Sequence, residues 1–421
     1  MTRPGIGDAK TASRPPVTDA RVDLRPIHLH LVAGDVAARV VPPPADALTA
    51  EERAALASRE PLSLLRVLGP EGQEGGPAGR TAGRLIREHV AAGYYAERGP
   101  VLAVHELRTS THRQVGLVAG IPVADVRAGV VRPHEQTRAY REERLAAFLD
   151  AAGADVSPVV LTHAAEPAID VVVGKLCEQA PDLEFEGWGE VRHRVWIVDD
   201  RSACDQLCAA AGAIAQLTIV DGHHRVAAAL RAEGGSAGQG PAGRGEPVLL
   251  AELVADRDLR MVGFDRRVHV GGIAEAQRIL DRLSEVSSLT DLGIGPPPRP
   301  SGDAEMLVAT SDRWWRATFT EVPDDVPDSL PVSLLQERVL GPIVGIGDPR
   351  TDRRLEHVPG LGDLRALDRS VHAAMTLGFV PRAVTVAELQ EVARRGKVLP
   401  PKSTYVDPKP GPGVLIRLRS R

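Results

Sequence analysis

Three cysteines in 421 residues, Cys177, Cys204 and Cys208, exclude a disulfide framework, and without a CxxC pair they make no thiolate zinc site. That usage fits a reducing compartment. Aromatic residues are 3% of the chain, so a core has to be built mainly from Ala, Val and Leu. No stretch approaches the roughly 18 apolar residues that cross a bilayer, and Met1 to Ala20, with Pro, Gly, Asp and Lys but no apolar segment, reads as a disordered tail rather than a signal peptide or anchor. A basic excess is missing too: the net charge of −5 argues against a protein that coats nucleic acid. The expectation is a cytoplasmic protein without a membrane or nucleic-acid partner. GxxxxGK[ST], a strand followed by GxGxxG, HExxH and GxSxG are all absent, which removes the usual nucleotide, metalloprotease and hydrolase readings.

What is present is length enough for two or three domains, with ordinary charged (25%) and apolar (43%) fractions. Val22 to Val32 is strand-like, and Asp46 to Ser58 reads as a helix capped by Thr49. Leu62 to Leu68 reads as a strand and Gly69 to Gly79 as a loop. Val101 to Leu107 and Gln114 to Ile121 form a hairpin around Thr109–His112. Helices over 141–151, 168–179 and 202–211 alternate with strands at 158–162, 191–198 and 248–254. Gly293 to Gly302, with four prolines, looks like a linker, and helices follow at 334–340, 361–376 and 383–396 before a strand at 414–418. Such alternation predicts an α/β or α+β architecture.

The chain is organised around 214–231, IAQLTIVDGHHRVAAALR. Ile214 to Val220 reads as a buried strand, the glycine turn stops it, and an Ala-rich helix follows. His223, His224 and Arg225 thereby become three potential cations at a helix start, where free N–H groups and the dipole attract an anion. Gly222 lets the backbone approach closely, Arg225 can fork onto phosphate, and Asp221 could accept a hydroxyl proton or hold Mg2+. A second polar cluster, His134, Glu135, Thr137 and Arg138, leads into a helix on which Arg138, Arg141 and Arg144 share a face. A third, Leu399 to Tyr405 with Asp407-Pro408-Lys409, is an extended strap that offers Lys402 and Lys409 as point charges.

The segments VVPPPADALTAEE (40–52), EPLSLLRV (60–67), RPHEQTR (132–138), TIVDGHHRVAAA (218–229), LGPIVGIGDPR (340–350) and LPPKSTYVDPKPGPG (399–413) resemble, in order, blocks of the domain of unknown function 1015 family. The DGHHR block is similar to the phosphate-binding motif of the ParB and sulfiredoxin superfamily, which includes kinases of free serine. The resemblance implies a mixed-sheet phosphate-binding domain over 21–271, a connecting segment over 272–330, and a C-terminal α/β segment over 331–421 that closes on the site. It also implies a nucleotide-phosphate site of Asp221, Gly222, His223, His224 and Arg225; the second cluster adds His134, Thr137 and Arg138 as candidate contacts, and Lys402, Ser403, Thr404 and Lys409 keep the family's pattern in a strap that closes over the site. One departure stands out: Ala45 precedes Asp46 where the family usually has an aromatic residue.

The leading reading is a nucleotide-dependent kinase of a free hydroxy metabolite, L-serine above others, with ATP or ADP as donor and Mg2+ as its ion. Catalytic candidates are Asp221, His223 and Glu135; Asp221 is the base, or the metal ligand if Glu135 is the base. The alternatives are a ParB-like regulator that binds CTP or ATP and a catalytically silent structural protein. A homodimer is compatible with each.

Overall fold

The structure of the protein, a computed structural model, describes residues 21–68, 75–234, 246–373 and 375–419. The glycine-rich stretches over Gly69 to Gly79 and Gly234 to Gly245 therefore fall mostly outside the described residues. Where the first one re-enters, Gly76 already begins a helix running to Ala91, with Pro77 in its first turn.

The first ten strands, in chain order, are β1 Ile27–Val32, β2 Tyr95–Arg108, β3 Arg113–Pro122, β4 Val131–Arg132, β5 Ala154–Asp155, β6 Val159–His163, β7 Leu183–Glu186, β8 Arg192–Val198, β9 Leu217–Asp221 and β10 Val248–Ala255. After the short β11 Met261–Val262 come β12 Phe264–His269, β13 Ser287–Gly293, β14 Glu305–Ala309, β15 Trp314–Phe319, β16 Leu355–Pro359 and β17 Thr376–Pro381. The short β18 Tyr405–Val406 and β19 Leu415–Leu418 complete the set.

Two sheets result. The larger runs β4-β9-β6-β10-β3-β2-β1-β19-β5, with β8 on β2 and β7 on β8. β4 with β9 and β6 with β10 are parallel, and the remaining pairs are antiparallel, so the fold is a mixed α/β one as expected. The expected hairpin is the β2–β3 pair, Ala103 to Arg108 against Val118 to Arg113. The smaller sheet, β13-β15-β14-β17-β12-β16, is antiparallel throughout.

Three sequence expectations need correction. Residues between Gly293 and Glu305 are not a linker between domains: they join β13 to β14 inside the smaller sheet. That sheet begins at Phe264, and β19 returns the chain to the larger one. Leu62 to Leu68 is no strand either. Ser63 Oγ accepts the Leu65 amide, and Leu65–Leu68 makes one helical turn that buries Leu65 and Val67; seven residues with five apolar side chains suit either element, and a local cap decided it. The third concerns the helix expected from Asp46. After the prolines only a short turn forms at Ala45–Ala47, and the helix starts at Ala50, because Thr49 makes a capping box with Glu52.

The larger sheet is covered on both faces by apolar clusters, one around Leu29, Leu64 and Ile86 and the other around Leu161, Leu207 and Leu217. A further cluster packs the C-terminal helix and the strap against the larger sheet. Val160 and Val220, at the ends of β6 and β9, pack with Leu330, Leu389, Val392, Leu399 and Val406. The helix Val386–Arg394, capped by Thr385, supplies part of this cluster. Among the described residues no helix is long and apolar enough to cross a membrane.

Candidate functional site

The site grows from the end of β9. Leu217 to Val220 are buried between β4 and β6, and Asp221 is the first residue to emerge. Gly222 then takes φ +96°, a left-handed conformation that suits glycine, and a Cβ there would lie 2.8 Å from the Arg225 guanidinium. Its bareness lets Arg225, inside the helix His223–Gly234, fold back and donate to Asp221 Oδ2 at 2.6 Å.

The strap between Leu399 and Val414 lays a second cation on the same carboxylate. Lys409 Nζ donates to Asp221 Oδ1 at 2.8 Å and to Asp46 Oδ2 at 2.5 Å, above the Tyr405 ring. Burial alone would raise the Asp221 carboxyl, but Lys409 and Arg225 outweigh it and hold Asp221 far below the usual carboxylate range. Lys402, whose φ of +56° is unusual outside glycine, aims Nζ at the Phe264 ring 5.2 Å away. Arg266, buried in β12, donates to the Pro401 carbonyl and so ties the smaller sheet to the strap. Burial pushes its guanidinium down to about 10.

These groups wall a cavity of about 450 Å3 at the seam of the two sheets. Four cationic side chains line it, Arg53, Arg225, Lys402 and Lys409, against two carboxylates, Asp46 and Asp221. His357 adds no charge, since burial, with Arg266 and Lys402 nearby, pushes its imidazole down to about 3. Such a lining favours a polyanion.

The histidines of the motif stand behind this wall as neutral groups, a correction to the reading of three cations. His134 is buried; its Nδ1 donates to the Ile219 carbonyl at 2.6 Å, and its Nε2 accepts from Thr404 Oγ1 at 2.9 Å. Burial pushes His134 down to about 4. His223 meets it edge-on, its Nε2 accepting from the His134 amide, and burial holds it well below the ordinary histidine value. His224 is lowered by burial and by Arg141, and its Nδ1 is buried without a hydrogen-bond partner. These rings brace β9, the 134–135 bridge to Leu399 and the strap.

Of the residues singled out in the sequence, Asp221, Arg225, Lys402 and Lys409 meet at the cavity, with Gly222 making their approach possible. Glu135 does not line it; burial raises its carboxyl while Lys402 opposes the rise. Thr137 donates to Glu142 and Arg138 to the Arg350 carbonyl, both away from the cavity lining, and Ser403 Oγ donates to Pro400 O. Sequence reasoning missed Asp46, Arg53, Phe264 and His357. Asp46 stood inside the 40–52 block, but nothing local distinguished its carboxylate from a helix-start acid.

Two places bear on Mg2+. Asp46 and Asp221 are the hard oxygen donors such an ion prefers, but Lys409 Nζ already occupies the space between them, so a metal does not fit there with the strap in place. His134, Glu135 and His223 bring donor atoms within 4.8 Å of one another. There the His134 nitrogens are committed to Ile219 and Thr404, so this group too reads as a hydrogen-bonded brace.

No curated protein matches the chain. Among solved structures, a free serine kinase in complex with AMP overlaps 69% of this chain and 86% of its own, at 14% identity and a TM-score of 0.34. SbnI with a C-terminal truncation, from Staphylococcus aureus, overlaps 70% of this chain and 85% of its own, at 10% identity and a TM-score of 0.36. A conserved hypothetical protein from Pyrococcus furiosus overlaps 69% and 90%, at 14% identity and a TM-score of 0.34. Overlaps this loose assign no side chain. The family comparison is firmer: residues 24–337, which hold four of the six resembling blocks, match the protein family of unknown function 1015, and the chain belongs to that family.

Proposed function

We propose that the protein is a nucleotide-dependent phosphotransferase acting on a small hydroxylated metabolite, with L-serine the leading acceptor and ATP or ADP the donor. The observation that carries this reading is the convergence of Arg225, Lys402 and Lys409 with two carboxylates in one cavity. Phosphoryl transfer asks a protein chiefly for alignment and for compensation of charge on the moving group. Arg225 is suited to fork onto phosphate oxygens, and Lys402 and Lys409 act as point charges beside it. The free amides of the first helical turn after Gly222 favour the same anion. Magnesium enters this reading as the companion of the donor phosphates, with no step assigned to it.

The base is Asp46. Asp221 is clamped by two cations and is a poor proton acceptor, while Glu135 lies outside the cavity lining. Asp46 holds one cation and faces the cavity from the proline-led segment, where it can take the acceptor's hydroxyl proton as the oxygen attacks phosphorus. Purified protein mixed with ATP or ADP, Mg2+ and L-serine should yield O-phosphoserine and the nucleotide one phosphate shorter. Nucleotide binding without loss of phosphate to any small hydroxy compound overturns the reading in favour of a nucleotide-responsive regulator.

A further inference from the structure

One cation of the cavity is not accounted for by donor binding. Arg53 lies in the first turn of the helix Ala50–Arg59, on the segment that also brings Pro44, Ala45, Asp46 and Leu48 to the cavity. Among the described residues its guanidinium has no hydrogen-bond or ion-pair partner. Arg225 and Lys409, by contrast, are held by carboxylates, and Lys402 sits over a ring. Helix stability does not explain it. A cation in the first turn stands against the helix dipole, and the neighbours at i−4, i+3 and i+4, Thr49, Leu56 and Ala57, offer no carboxylate. The nearby Glu52 is spent on the Thr49 cap.

We infer that Arg53 recognises a carboxylate on the acceptor, so that the substrate class is small hydroxy acids rather than simple alcohols or amino alcohols. The inference rests on the phosphotransferase reading and deepens it. Donor phosphate belongs with Arg225, Lys402 and Lys409, which come from the β9–helix junction and the strap. Asp46 and Arg53 come from a different wall, seven positions apart on one segment. A compact molecule whose hydroxyl meets Asp46 therefore presents its remaining groups toward that helix, with the uncharged Pro44, Ala45 and Leu48 beside them. Arg is the side chain that reads a planar carboxylate with two parallel hydrogen bonds.

The test compares Arg53→Met and Arg53→Lys with the unaltered protein in two measurements. The first is transfer to L-serine, to glycerate and to ethanolamine, which keeps the hydroxyl and lacks the carboxylate. The expected result is transfer to a carboxylate-bearing acceptor but not to ethanolamine. In Arg53→Met the acceptor KM should rise about tenfold or more, the worth of a charge-assisted hydrogen bond, with nucleotide KM unchanged and partial recovery in Arg53→Lys. Equal use of ethanolamine, or a nucleotide KM that rises in step, overturns the inference and leaves the kinase standing. The second is calorimetric binding of L-serine and glycerate with a non-hydrolysable nucleotide present. Arg53-dependent binding without transfer by any variant keeps the carboxylate subsite and overturns the kinase; neither binding nor transfer overturns both.

Discussion

Lys409 Nζ lies 2.8 Å from Asp221 Oδ1 although 188 positions separate the two residues in the chain. The same ammonium reaches Asp46, so a single side chain from the strap neutralises acids from two other elements. In Lys409→Met the two carboxylates face each other with one cation fewer. Their partial exposure moderates the cost to about 1–3 kcal/mol of stability, read by urea unfolding, with nucleotide affinity falling about tenfold or more by calorimetry. Unchanged stability and affinity would show that the contact is incidental.

Gly222→Ala tests the turn. The left-handed φ and the 2.8 Å approach to Arg225 cannot both be kept, so the guanidinium must swing off Asp221. A stability loss of about 1–3 kcal/mol should accompany weaker nucleotide binding. Alanine at Gly396, which also has positive φ but nothing within 4 Å of its Cβ position, should cost stability and spare the binding.

The base assignment separates two carboxylates, Asp46 and Glu135. Asp46→Asn should reduce kcat by about 100-fold or more while nucleotide still binds. Glu135→Gln should leave kcat within a few-fold. If the two variants exchange these outcomes in a single-turnover assay, proton transfer belongs to Glu135.

Acid sensitivity should set in early. His134 is held near 4 in the fold against an ordinary 6.5, so the native state resists a proton that the unfolded chain accepts. Its contribution is complete above pH 6.5 and drains as the pH falls toward 4, reaching roughly 2 kcal/mol lost at pH 5. His223 and His357, also lowered, act in the same direction. Asp221, with its value depressed, keeps its contribution down to its ordinary range near 3.8 and loses it only below that. Unfolding free energies between pH 8 and 5 should therefore slope, and His134→Asn should flatten part of that slope.

The strand, glycine turn and helix at 214–231 were legible because every local preference there agrees: a β-branched run, a glycine, then alanines. Thr49 and Thr385 were readable as caps from the TxxE spacing alone. The smaller sheet was not. β13, SSLTDLG, carries neither an apolar run nor strict alternation, and its partners are set by distant residues. Charge states were equally hidden, because burial decides them: His223 and His224 look like cations in a string of letters and are neutral in the packed protein. Asp46 acquires its meaning only once Lys409 arrives from the far end of the chain.

That far end has a temporal consequence. β19 is inserted between β1 and β5, and Arg417 and Arg419 are the partners of the buried Asp155, just as Lys409 is for Asp221 and Asp46. During synthesis Asp155, Asp46 and one edge of β1 lack these partners until residues 409–419 have emerged, while Asp221 has Arg225 alone. A chain cut short before Lys409 keeps the glycine turn and Arg225 on Asp221 but lacks the cation that Asp46 and Asp221 share, so its cavity is incomplete.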